Sequence, residues 1–164
     1  MGFSLLTAML FLFSTEAKAQ DPPPQGGFKN AYLTLNKSGK VVLTYTLWDQ
    51  QVTKGNYTLA FFWASWSDEA REEAPYVQAI YKKYAGKVKV LGVTYGDEIQ
   101  DSMDAIPEWG MTFPHFVFVE DAEPDGRFEI DSIPTVILFG PDGNIVARDM
   151  KGEEIEKAVG EALK

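Results

Sequence analysis

The feature that most constrains this chain is a change of hydrophobic period between residues 57 and 95. "YTLAFFW" (Tyr57 to Trp63) is a near-continuous apolar run, the pattern of a strand buried on both faces. Ala70, Ala74, Val77, Tyr81 and Tyr84 then fall at i, i+4, i+7, i+11 and i+14, one stripe of a helix. "VKVLGVTY" (Val88 to Tyr95) returns to the buried-strand pattern. Strand, helix and strand within about 40 residues predict a parallel, right-handed βαβ unit. Charge agrees with the helix. Asp68, Glu69, Glu72 and Glu73 crowd its first turns and Lys82 and Lys83 its last, each sign at the pole that stabilises it. Pro75 inside the stripe removes a backbone donor and predicts a kink.

The flanking segments extend this unit in both directions. "AYLTLN" and "VVLTYTLW" alternate apolar and polar residues around "KSGK", which predicts a β-hairpin from Ala31 to Trp48. Ile99, Met103 and Ile106 mark a second helix ending near Pro107 and Gly110, and "FPHFVFVED" reads as a loop with a short extended piece. "PTVILFGPDGNIVAR" is a hairpin turning at Pro141-Asp142-Gly143-Asn144, and "GEEIEKAVGEALK" is an amphipathic helix through Ile155, Val159 and Leu163. The sum is an α/β domain, a mixed β-sheet with helices on both faces, parallel in the middle and antiparallel at one edge.

Composition supports one ordinary globular domain: 164 residues, 45% hydrophobic and 13% aromatic. The chain opens with a short apolar run, Leu5 to Phe13, followed by the small-x-small pattern Ala17-Lys18-Ala19, which reads as a secretory signal over 1–19. No Lys or Arg precedes the run, so either the signal is weak or the true start lies upstream. Residues 20–30, with "QDPPPQGG", read as a Pro/Gly-rich linker, and 31–164 as the folded domain. A net charge of −9 repels phosphate backbones and argues against nucleic-acid and anionic-membrane partners. An exported chain is free to form disulfides, but zero cysteines remove disulfides, thiol nucleophiles and a lipid-acceptor site together. The expected location is the periplasm or outside the cell, with no transmembrane anchor.

"FWASWSDEAREEAP" resembles the F-W-A-S-W-C-G-P-C-R-x-E-x-P signature of the thioredoxin-like, TlpA-type thiol–disulfide oxidoreductases, which are related to the AhpC/TSA group. "YKKYAGKVKVLGVTYGDE", "GMTFPHF" and "FEIDSIPTVILFGPDGNIVAR" are similar to the family's later segments in order and spacing. The resemblance runs from Ala31 to Lys164 and implies a thioredoxin-like fold with an N-terminal β-hairpin extension. It also implies which positions have lost their chemistry. Ser67 stands where the family has its nucleophilic cysteine, Ala70 where it has the resolving one, and Asp68-Glu69 where it has Gly-Pro. Phe61 stands where many members bury an acid. Exchange needs a thiolate, for which a serine hydroxyl is no substitute, and two acids at the site oppose thiolate formation. The resemblance thus implies no catalytic residue, cofactor or metal. Cys→Ser and Cys→Ala are also common laboratory replacements; the intact signal-like segment and Asp68-Glu69 favour a natural, degenerate site over an engineered one.

Other candidates weigh less. Ser67 lacks a Gly-x-Ser-x-Gly context and has an N-cap's sufficient job, while the only histidine, His115, reads as a loop or partly buried structural residue. "DAEPDGRFEIDS" imitates a calcium loop through Asp121, Glu123, Asp125 and Gly126, but Pro124 stiffens it and Ser132 replaces the closing glutamate. A solvated acidic loop is the better account. By the resemblance, Pro134 is a cis-proline beside the helix start, and Trp66, Ser67, Ile133, Pro134 and Thr135 frame a groove for a protein or extended peptide. The same proline serves equally well as a requirement of the fold alone. The expected function is a redox-inactive binding or accessory module. The alternatives are an oxidoreductase role that depends on a cysteine-bearing partner, or a structural subunit of an envelope complex.

Overall fold

A computed structural model describes residues 30–46, 51, 55–118 and 128–164. The signal segment, residues 20–29 of the expected linker, Trp48 and the acidic run with Asp121, Glu123, Pro124, Asp125 and Gly126 lie outside them, while Asn30 belongs to the first strand. The described elements are β1 (Asn30–Leu35), β2 (Val41–Thr46), β3 (Tyr57–Trp63), α1 (Asp68–Lys83), β4 (Val88–Thr94), α2 (Ile99–Glu108), β5 (His115–Val117), β6 (Thr135–Phe139), β7 (Ile145–Arg148) and α3 (Glu153–Ala162). The strands form one sheet in the order β2-β1-β5-β4-β3-β6-β7.

The βαβ unit forms as its period predicts. β3 and β4 pair in parallel with Leu59 opposite Val90 and Phe61 opposite Gly92. α1 runs as one element through Pro75, which faces solvent. β5 is also parallel to β4, whereas β1 meets β5 and β6 meets β3 in antiparallel pairing. The sheet is therefore antiparallel at both edges and not at one. The reason is β5, the short extended piece expected within "FPHFVFVED", which gives the N-terminal hairpin an edge to join.

Side-chain alternation on β3 divides the core. Leu59, Phe61 and Trp63 point to one face together with Val90, Val136 and Leu138, and that face packs against Ala70, Ala74, Val77 and Ile80 of α1, Ala105 and Ile106 of α2, and Ile155 and Val159 of α3. Placing α1 and α2 on one face follows from topology. Two successive right-handed crossovers that step in the same direction, β3 to β4 to β5, leave both helices on one side. Ala60, Phe62, Val93, Ile137 and Phe139 form a second cluster on the opposite face. Among the described residues no helix packs on this cluster. Phe128, 5.5 Å from the Phe62 ring and 5.8 Å from Phe139, roofs that cluster instead, with Phe118, Ile130 and Ile133 beside it. Arg148 holds this roof to the sheet by donating to the carbonyls of Phe128 at 3.3 Å and Glu129 at 2.9 Å.

Helix α3 is fastened to α1 as well as packed on it. The Gly152 N–H donates to Glu73 at 2.9 Å, and Lys83 pairs with Glu156. Both contacts leave the opposite, sheet-facing stripe of α1 to the core, which that stripe enters at Ala70, just beyond the carboxyl end of β3.

Candidate functional site

That end of β3 is where the sequence places its degenerate site. After Trp63 the chain makes a tight turn, with the Ser67 N–H donating to the Ala64 carbonyl at 3.1 Å. Ser67 has extended backbone angles and is the N-cap of α1: its hydroxyl oxygen accepts the Ala70 N–H at 3.1 Å. The same hydroxyl reaches Glu69 at 3.5 Å, and the residue is only 4% exposed. Its bonding capacity is spent locally, so it is not a free nucleophile. Ala70 is fully buried against the core and offers no reactive atom. Asp68 and Glu69 are exposed in the first turn, where the helix dipole favours their charge. Phe61, at the acid's position, is fully buried and stacks on Trp63 with ring centroids 6.5 Å apart.

Trp66 is the opposite case. The residue is 66% exposed, yet its indole N–H donates to the Gly96 carbonyl at 3.1 Å. The neighbouring Ser65 is held twice by Asp97, through its N–H at 2.8 Å and its hydroxyl at 2.7 Å, and Asp97 also accepts from Ser102 at 3.0 Å. The turn after β4 therefore clamps the turn after β3. Sequence reasoning missed Asp97 as a site residue. The available signal was "YGDE", a Gly-Asp turn directly after a strand, and Gly96 does take a positive φ of 62°.

The third side of the site comes from the start of β6. The Ile133–Pro134 peptide is cis, both residues are half-buried, and the Thr135 hydroxyl donates to the Ser132 carbonyl at 2.6 Å. Thr135 is paired opposite Phe62, so Pro134 stands level with Trp63, one step from the turn that carries Trp66 and Ser67. The fold thus brings Trp66, Ser67, Ile133, Pro134 and Thr135 to one end of the sheet. Of these, Ser67 and Thr135 are buried, leaving Trp66, Ile133 and Pro134 as the accessible apolar surface.

His115 departs from its expected place. It lies in β5, fully buried, with Nδ1 accepting the Trp63 indole N–H at 3.1 Å, while its Nε2 has no partner among the described residues. Burial pushes its pKa down to about 3. It is committed to Trp63 and gives Ser67 no base. Among the described residues no group of three or more His, Asp or Glu side chains is placed to hold a metal ion, nor is any helix long and apolar enough to cross a membrane.

Residues 55–145 match the sequence profile of the family described as Thioredoxin-like. The chain belongs to the thioredoxin-like family. Its relatives include the thiol-disulfide oxidoreductase ResA of Bacillus subtilis, 26% identical over 94 residues, which covers 57% of this chain and 52% of the relative. ResA of Oceanobacillus iheyensis is 29% identical over 93 residues, covering 56% and 48%. The chain spans about half the length of these curated relatives. Among solved structures, the thioredoxin domain of a thiol-disulfide oxidoreductase from Bacteroides vulgatus superposes with a TM-score of 0.66 at 23% identity, over 84% of this chain and 97% of that one. A thiol-disulfide oxidoreductase from Bacteroides fragilis gives 0.58 at 26% identity, over 82% and 98%. This thioredoxin-like chain keeps the fold and the strand-to-helix turn while having no cysteine.

Proposed function

We propose that this protein is a redox-inactive, exported member of the thioredoxin-like family that binds a protein segment at Trp66, Ile133 and Pro134. The observation that carries the reading is the state of the two sulfur positions. Ser67 is consumed as a helix cap and Ala70 is sealed in the core. Thiol–disulfide exchange requires a thiolate attacking along the S–S axis and a second thiol to resolve the mixed disulfide, and neither group is present. What persists is a rigid, apolar end of the sheet that needs no sulfur to make contacts.

Two measurements test this. The purified chain should leave the rate of insulin reduction by dithiothreitol unchanged, and any acceleration would overturn the redox-inactive reading. Fluorescence anisotropy with unstructured peptides of varied composition should detect saturable binding that is lost in Ile133→Asp; absence of binding to every peptide would remove the recognition reading. Export through residues 1–19 is supported by the apolar run and the Ala17-Lys18-Ala19 pattern. Mass spectrometry of the protein recovered from the cell envelope should find Gln20 as its first residue.

The names of the ResA relatives support a second reading, an oxidoreductase role in which a partner supplies the cysteines. It predicts that adding this chain raises the turnover of a cysteine-bearing thioredoxin-like partner from the same cell.

A further inference from the structure

We propose that the segment bound at this end of the sheet is cationic, with a Lys or Arg side chain lying on the bare face of Trp66. This rests on the recognition reading above and adds the chemistry of the partner. The first support is the state of the indole. Trp66 is largely exposed but fixed through Gly96, and its neighbour Ser65 is fixed through Asp97. Among the described residues no aromatic or cationic group stacks on its ring. A large π-surface held still in solvent binds a cation with little loss of side-chain entropy.

The second support is the sign of charge around it. Asp68 and Glu69 follow Trp66 in the chain, Glu98 adjoins the Gly96-Asp97 clamp, Asp101 sits in the first turn of α2, and Asp131 precedes Ile133. All five are exposed, and none forms an ion pair within the described residues. The nearby cation Arg71 is engaged by Glu108 at 3.0 Å. Lys82, Lys83, Lys87 and Lys89 gather at the far end of α1 and the start of β4. A helix rise of about 1.5 Å per residue puts Lys82 about 20 Å from Asp68. That exceeds the Debye length of about 8 Å at physiological salt, so these lysines do not neutralise the site.

The ligand's sign follows from comparing these charges with the helix dipole. A bare helix start carries about +0.5 charge and invites anions. Here two carboxylates in the first turn outweigh it. A phosphate or acidic peptide is repelled, while a basic segment is steered to this end by the field and retained by the indole, Ile133 and Pro134.

The test uses three labelled peptides of equal length and apolar content whose variable positions are Lys/Arg, Ser or Glu, titrated against the full chain in 20 mM and 300 mM NaCl. The basic peptide should bind at least tenfold tighter than the neutral one at low salt, with the gap narrowing at high salt. Trp66→Leu, which keeps the net charge, should erase most of that preference. Asp68→Asn/Glu69→Gln and, separately, Glu98→Gln should each reduce it severalfold, and Lys82→Gln should leave it unchanged. Circular dichroism confirms that each variant is folded. Equal binding of the basic and neutral peptides, or an undiminished preference in Trp66→Leu, overturns the charge assignment and leaves the recognition reading standing. Failure of all three peptides to bind removes both.

Discussion

At pH 5.0 the chain should be about 2 kcal/mol less stable than at pH 7.5 on account of one residue, His115. The ring is enclosed by Trp63, Phe113 and the bare backbone of Gly92. Trp63 can only donate, so Nδ1 accepts and the neutral ring carries its proton on Nε2. Charging the ring would set two N–H donors against each other at 3.1 Å and bury an unpaired cation. Burial holds the pKa well below 6.5, at about 3. The unfolded chain therefore takes up a proton below pH 6.5 that the folded chain refuses. The stabilisation is complete above pH 6.5 and is lost progressively as pH falls towards 3. A gap of 1.5 units at pH 5.0, with about 1.36 kcal/mol per unit, gives the figure of about 2 kcal/mol. Urea denaturation at the two pH values measures it. His115→Gln keeps an acceptor for Trp63 without a titrating group, and its loss between pH 7.5 and 5.0 should be smaller by that amount. An equal loss in both proteins would refute the reasoning. So would a native-state NMR titration of this sole histidine with a midpoint above pH 5.

Two further consequences concern packing and capping at the same end of the core. A Cβ added at Gly92 would lie 1.8 Å from Nδ1 of His115, so Gly92→Ala should destabilise by about 1–3 kcal/mol or more. Most of that penalty should vanish in a His115→Ala background, read from a double-mutant cycle by urea denaturation. Ser67→Ala removes the N-cap and should cost about 1 kcal/mol, whereas Ser67→Asn should stay within about 0.5 kcal/mol of the parent, both by thermal and urea melts.

The parts of the fold legible in the sequence are those whose pattern is local. β3 and α1 announce themselves because a run of apolar residues gives way to a 3.6-residue stripe, and Ser67 before Asp68-Glu69 is a helix start on chemistry alone. β5 is legible only as a short extended piece, not as a position in the sheet. Its place is set by pairing with β1 and β4, which lie far away in sequence. His115 was hidden for the same cause: its polarity suggests a surface, and the Trp63 indole that licenses its burial is 52 residues distant. Gly96 and Asp97 stand in "YGDE", yet their role depends on two turns meeting across parallel strands, which only the register supplies.

The acidic pair at the start of α1 changes more than the missing sulfur does. Restoring Ser67→Cys alone would place a thiol at a helix N-terminus, a position that ordinarily lowers its pKa. Here Asp68 and Glu69 stand in the first turn and oppose it. At roughly 6 Å in a water-like dielectric each carboxylate contributes about 0.7 kcal/mol. Two of them raise the thiol pKa by about one unit, which cancels much of what the helix end provides. The pH dependence of iodoacetamide alkylation reads that pKa directly in a chain with no other cysteine. Ser67→Cys/Asp68→Asn/Glu69→Gln should alkylate with a midpoint about one unit lower than Ser67→Cys alone, and midpoints equal within about 0.3 unit would show that the acids do not govern the site. A lowered midpoint would mean that this end of the helix has been turned from one that stabilises a negative sulfur into one that excludes it. The field that disfavours a thiolate there is the field that favours a Lys or Arg side chain on Trp66.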